Sequence, residues 1–149
     1  MLERLESLKA GIFGSFSLFL ALIITSLVNT IVLAKYFPTL ISLEIEPLNL
    51  DFVLSGAIAC FSGLLFGATY RYIIRKDKNP HLKSGGVLAF GLVRGLAQIE
   101  VGWNSMATLL PYLVLTGESV FSFAIAAKAI DTAMQFGWIK PFPSIPTDY

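Results

Sequence analysis

The sequence predicts an all-α, polytopic membrane protein, a bundle of about four transmembrane helices whose N- and C-termini both lie on the cytoplasmic or stromal side. Three observations carry this expectation. The chain contains long runs without a charged residue. Only 14% of its 149 residues are charged against 55% hydrophobic, and the mean hydropathy is +0.72, whereas soluble domains carry about 25% charged residues. The Lys and Arg residues are also gathered at a few places, most densely in one short connector. A water-soluble globular domain and a disordered chain are both excluded by these numbers. At about 20 apolar residues per span, the length holds at most four or five helices with short loops, in a single transmembrane domain covering 1–149.

No charged residue separates Lys9 from Lys35, and residues 11–34 are long enough to cross a bilayer with some tilt. A cleavable signal peptide fits less well, because secretory apolar cores run to about 7 to 15 residues and end in a small-x-small site. Residues 36–51 hold Pro38, Pro47, Glu44, Glu46 and Asp51, and form a loop on the side that attracts no positive charge. The second uncharged run, 52–70, leads into the basic connector Arg71, Arg75, Lys76, Lys78 and Lys83. Short loops rich in Lys and Arg stay in the cytoplasm or the stroma, which places the N-terminus, with Arg4 and Lys9, on that same side.

The second half is punctured by Arg94, Glu100, Lys128 and Asp131. Its preferred division is a third span over 85–101, an irregular or re-entrant segment over 102–118, and a fourth span over 119–138. The alternative is one long helix to Leu115, kinked at Pro111. The tail 140–149, with Pro141, Pro143 and Pro146, runs along the surface. Tyr36, Tyr70, Tyr72, Trp103 and Trp138 fall at these borders, where aromatic rings favour the headgroup region.

Ionisable side chains at bilayer depth cost about 2.5–3.5 kcal/mol on insertion scales and call for partners. If the third and fourth spans are antiparallel, Arg94 should meet Asp131 and Glu100 should meet Lys128. Counted from Gly85 and Trp138, Arg94 and Asp131 differ in depth by about 3 Å, and the other pair by about 7 Å. Gln98 shares a face with Arg94, and Gln135 shares one with Lys128 and Asp131, so a polar seam is expected between the two helices. It reads either as structural salt bridges or as a path for ions or a polar ligand. Ala59, Gly63 and Gly67, and separately Gly91 and Gly95, form small-xxx-small ridges that let backbones approach, for internal packing or for a subunit interface.

Catalytic and cofactor signatures are absent. There is no HExxH, GxSxG, phosphate-binding glycine loop or cysteine pair, and the lone Cys60 reads as a small hydrophobe. The lone His81, beside Lys83, reads as an interfacial residue. No metal or cofactor is therefore expected, and the balanced charge of +1 gives no argument for nucleic acid as a partner. The expected partners are the lipid bilayer and other membrane subunits, or a second copy.

The segment RYIIRKDKNPHLKSGG and the following VLAFGLVRGLAQIE, residues 71–100 with Tyr70 excluded, resemble a family of uncharacterised small integral membrane proteins of cyanobacteria and chloroplasts. In that family a basic "NPHLK" connector leads into a helix with an intramembrane "VRGLA" stretch, here Val93, Arg94, Gly95, Leu96 and Ala97. The resemblance implies an inner or thylakoid membrane and carries over no catalytic residue. The function expected is that of a non-catalytic accessory or assembly protein of a larger membrane complex, photosynthetic in that setting, with the glycine ridges and basic connector as contact surfaces. The alternative is a small oligomeric transporter or channel using the charged seam.

Overall fold

The computed structural model describes residues 2–43, 49–74, 80–102 and 108–142, which are helical without a strand. α1 (Leu2–Val28) continues through one π turn (Asn29–Leu33) into the short α2 (Ala34–Tyr36). A 3-10 segment, Pro38–Leu43, then folds back and buries Leu40 and Leu43. α3 (Leu50–Ile74), α4 (Pro80–Gly102) and α5 (Leu110–Gln135) complete the chain. Three stretches, Leu2–Tyr36, Leu50–Ile74 and Leu110–Gln135, are long and apolar enough to cross a membrane, and the chain is a membrane protein. α4 is of similar length but carries Lys83, Arg94 and Glu100. Large apolar side chains such as Phe16, Ile24, Phe61 and Phe121 stand exposed on the outside of the bundle, a surface that hydrocarbon, unlike water, solvates without penalty.

Several expected boundaries move. The segment expected to be irregular over 102–118 is helical from Leu110, so α5 takes in Thr116, Gly117 and Glu118. Pro111 occupies the first turn, where its missing N–H costs nothing, and the Thr116 hydroxyl donates to the Tyr112 carbonyl at 2.8 Å. α5 stops at Gln135, short of Trp138, because Gly137 takes φ 76°. Its N–H donates to the Met134 carbonyl, and that of Trp138 donates to the Ala133 carbonyl, the Schellman arrangement that satisfies the last carbonyls of a helix. α3 runs beyond Tyr70 through Arg71, and α4 begins at Pro80, so His81 and Lys83 are helical rather than part of a loop. Arg75, Lys76, Lys78, Trp103, Glu44, Glu46 and Pro47, and the tail beyond Phe142, lie outside the described residues.

Helix pairing follows the small residues. α1 packs most extensively on α3 and α4 on α5, with α1 against α5 joining the two pairs, whereas α3 and α4 meet only sparsely. Ala59, Gly63 and Gly67 face α1, where Ala10 and Gly14 supply a matching ridge. A Cβ built on Gly63 would lie 2.5 Å from the Gly14 carbonyl oxygen and 2.7 Å from the Ser15 Cα, so the two backbones are in direct contact. Gly91 and Gly95 do the same for α4 and α5, against the Cα atoms of Val120 and Thr116. Both ridges are therefore used in packing inside the chain and are not open to a subunit interface.

The N-terminus, the end of α3, the start of α4 and the end of α5 gather at one end of the bundle, held by two ionic groups. Arg71 is fully buried, although the sequence places it in the basic connector. Its guanidinium donates to the Glu3 carboxylate at 2.5 Å, the Glu3 carbonyl at 3.1 Å, Ser7 Oγ at 2.8 Å and the Lys140 carbonyl at 2.8 Å, and lies over the Phe142 ring. The Lys140 N–H in turn donates to Glu6 at 2.9 Å, so the post-helical segment is docked on the start of α1.

The second group corrects the expected charge pairs. Lys83 donates to Asp131 at 2.8 Å, and the Tyr70 hydroxyl faces the same carboxylate at 3.5 Å. Among the described residues neither Arg94 with Asp131 nor Glu100 with Lys128 forms an ion pair. The reason is register. With α4 starting at Pro80 and α5 at Leu110, Gly95 meets Thr116 and Gly91 meets Val120, which carries Asp131 toward the first turn of α4 and away from Arg94. Glu100, Lys128 and Gln135 are exposed, so no continuous polar seam joins Gln135 to Gln98. A double-mutant cycle between Lys83 and Asp131 should give a coupling of about 0.5–2 kcal/mol, while Arg94 and Asp131 should be additive to within about 0.5 kcal/mol. Thermal unfolding in detergent measures both.

Candidate functional site

Three layers stack along the helices. The first holds Tyr70, Lys83 and Asp131. About 6 Å further along α3, at a rise of about 1.5 Å per residue, comes an aromatic layer. Phe66 lies at 5.4 Å from Phe90 and 5.0 Å from Phe123, and Phe90 at 5.9 Å from Phe123, with Phe66 and Phe123 fully buried. Beyond it lies a polar layer drawn from four helices: Asn29 of the π turn, Ser62 of α3, Arg94 and Gln98 of α4, and Glu118, Ser119 and Ser122 of α5.

The π turn shapes that layer. It begins at Asn29, which is buried and donates through Nδ2 to the Glu118 carboxylate at 3.2 Å. Such single turns recur at functional positions in helices. Ser122 donates to the Glu118 carbonyl at 2.7 Å. Arg94 directs Nη1 toward Ser62 Oγ at 3.5 Å, a long contact, and no carboxylate of the described residues reaches ion-pair distance. Three buried side-chain atoms of this layer, Asn29 Oδ1, Gln98 Oε1 and Ser119 Oγ, have no hydrogen-bond partner among the described residues. Buried polar atoms in that state normally meet a water or a ligand.

Two cavities adjoin the layer. A small one of about 40 Å³ lies between Arg94, Gln98, Glu118 and Ser119, roomy enough for a water. A larger cleft of about 630 Å³ opens between α3 and α4, where those helices fail to close, and is lined mainly by apolar side chains together with Ser55, Ser62, Arg94, Gln98 and Tyr112. Its rim residues Ile58, Val93 and Val101 are 50%, 70% and 85% exposed, so the cleft faces sideways from the bundle. Volume, apolar lining and a few convergent polar groups are the marks of a small-molecule site. Among the described residues no three His, Cys, Asp or Glu side chains converge as a metal would require, and the groups on offer are a cation, hydroxyls and an amide.

Of the residues expected at a site, Arg94 and Gln98 sit together at the cleft, and Asp131 lies in the first layer with Lys83. Glu118 and Asn29 are the members that sequence reasoning missed. The signal is faint: Glu118 falls at the end of the segment expected to be irregular over 102–118, although its spacing of four residues to Ser122 marks a polar face. Comparison with protein-family models, curated proteins and solved structures finds no match for this chain.

Proposed function

We propose that this chain is a non-catalytic integral membrane accessory protein of a larger membrane complex, whose working surface is the cleft between α3 and α4. The observation that carries the reading is the cleft itself, about 630 Å³ and open sideways, at a flank of the bundle where the described residues of α3 and α4 meet only sparsely. In this reading α4 crosses the bilayer beside α5, completing four spans, and its charges are accommodated by Asp131 at one end and by the polar layer within. The end that holds the start of α1, the end of α3 and the start of α4 faces the cytoplasm or stroma, as the positive-inside rule requires of the Lys and Arg counted in the sequence from Arg71 to Lys83. The membrane is the inner or thylakoid membrane that the resemblance of residues 71–100 implies, and photosynthetic complexes are the candidate partners there. The glycine ridges, being occupied internally, leave the cleft as the contact surface. A transport path through one chain is disfavoured by Phe66, Phe90 and Phe123, which stand between the polar layer and the Asp131 layer.

Affinity purification of the tagged chain from its native membrane in mild detergent, followed by mass spectrometry, tests this. Wild type should recover subunits of one complex reproducibly. Ala97→Trp, which fills the cleft from α4 without touching the glycine contacts, should lose them while keeping its thermal midpoint. Recovery of the chain alone as a homo-oligomer, or undiminished recovery with the cleft filled, would contradict the reading.

A further inference from the structure

We infer that the occupant of this cleft is a single-chain amphiphile with a terminal anionic group, of the long-chain carboxylic acid class, and that Arg94 is the residue that anchors its head. The inference rests on the cleft being the working surface and goes beyond it by naming the ligand chemistry: the bound amphiphile fills the cleft, and a partner subunit meets the rim so completed.

Among the described residues, Arg94 is the only charged side chain lining the cleft. A guanidinium held among apolar groups requires acceptor oxygens, yet among the described residues its hydrogen-bond partner is one serine hydroxyl at 3.5 Å. The acid that shares the small cavity with it, Glu118, is engaged by Asn29 and stands beyond ion-pair distance. Planar guanidinium donors match a carboxylate or a phosphate in two parallel hydrogen bonds, and the polar groups beside Arg94, Ser62 and Gln98, can complete the head's coordination. The remaining lining, including Leu65, Phe90, Val93 and Val101, suits an alkyl chain.

Depth selects among anionic amphiphiles. Arg94 lies eight residues before Gly102 at the end of α4, about 12 Å along the helix. A two-chain phospholipid keeps its headgroup at the interface, whereas a fatty acid can descend in its neutral, protonated form and, on meeting the guanidinium, give its proton to water, the small adjoining cavity being roomy enough for one molecule. A carboxylate is therefore favoured over a phosphate as the head.

The test uses the full-length chain in nanodiscs of zwitterionic lipid, with radiolabelled palmitate as probe and hexadecanol, hexadecyl phosphate and phosphatidylglycerol as competitors. Saturable palmitate binding is expected, with hexadecanol at least about tenfold weaker as a competitor and phosphatidylglycerol weaker than palmitate. Arg94→Gln should lose about tenfold or more in affinity, Arg94→Lys should retain part of it, and Ala97→Trp should abolish it. Equal competition by hexadecanol and palmitate would overturn the inference and leave Arg94 balanced by Glu118 within the chain. Preference for hexadecyl phosphate or phosphatidylglycerol would overturn it in favour of a phosphate head or a bilayer phospholipid. Absence of saturable binding would overturn it too, while recovery of complex subunits by wild type would still stand. The competitor comparison on wild type decides the matter even if an Arg94 variant fails to fold.

Discussion

Gly63→Ala and Gly67→Ala are each expected to lower the stability of the detergent-solubilised protein by about 2–3 kcal/mol or more, the range for forcing extra methyl groups into a filled core. The cost should sit at the upper end because the obstructing atoms are backbone. At Gly63 the added Cβ would meet the Gly14 carbonyl and the Ser15 Cα, and at Gly67 it would meet the Ala10 carbonyl oxygen and the Gly11 Cα. None of these can swing away, so α1 and α3 must separate along their whole contact. The controls are internal. Gly85 and Gly117 are also helical, and a Cβ on either meets nothing within 4 Å. Alanine there should be neutral or stabilising by up to about 1 kcal/mol, the ordinary gain in helix propensity. One chemical change should thus have opposite signs at two sets of positions, read as thermal midpoints by size-exclusion after heating. Equal effects at all four would show that α1 and α3 do not pack through these ridges.

Arg71→Met should be comparably damaging, at about 2–4 kcal/mol. It removes charge-assisted hydrogen bonds worth about 1.5–3 kcal/mol each when buried and leaves Ser7 and two backbone carbonyls without their donor. The share owed to the Glu3 carboxylate is discounted, since that side chain is 52% exposed and surface ion pairs contribute little. Arg71→Lys should recover only part of the loss, because one ammonium cannot reach acceptors on α1 and on the segment after α5 together. The variant should also free Lys140 and Phe142, and limited proteolysis would show cleavage after the end of α5 before the rest of the chain yields.

The all-helical membrane character was legible in the uncharged runs, and the close helix contacts in the small-residue spacing, because both are properties of residues near in sequence. What escaped was register. Antiparallel depth counted from the ends of apolar runs placed Arg94 opposite Asp131, but the true helix starts, Pro80 and Leu110, extend beyond those runs and shift the pairing by several residues. Arg71 illustrates a second limit. A cation at the end of an apolar run reads as a topology signal, and only the three-dimensional fold shows Ser7 and the Lys140 carbonyl waiting for it. Glu118 illustrates a third, since it falls in the segment expected to be irregular over 102–118, which is helical from Leu110, with Thr116 bonded to the Tyr112 carbonyl. The cleft itself had no sequence signal, being defined by where two helices do not touch.

If Arg94 takes its acceptor oxygen from a ligand between α3 and α4, a crystal structure grown from a lipidic mesophase supplemented with palmitate should show it. α3 and α4 should remain apart, with elongated density running from the Arg94 guanidinium along Phe90 and Val93 and no direct contact between Arg94 and Glu118. Helices closed against each other, with Arg94 in an ion pair to Glu118, would contradict it.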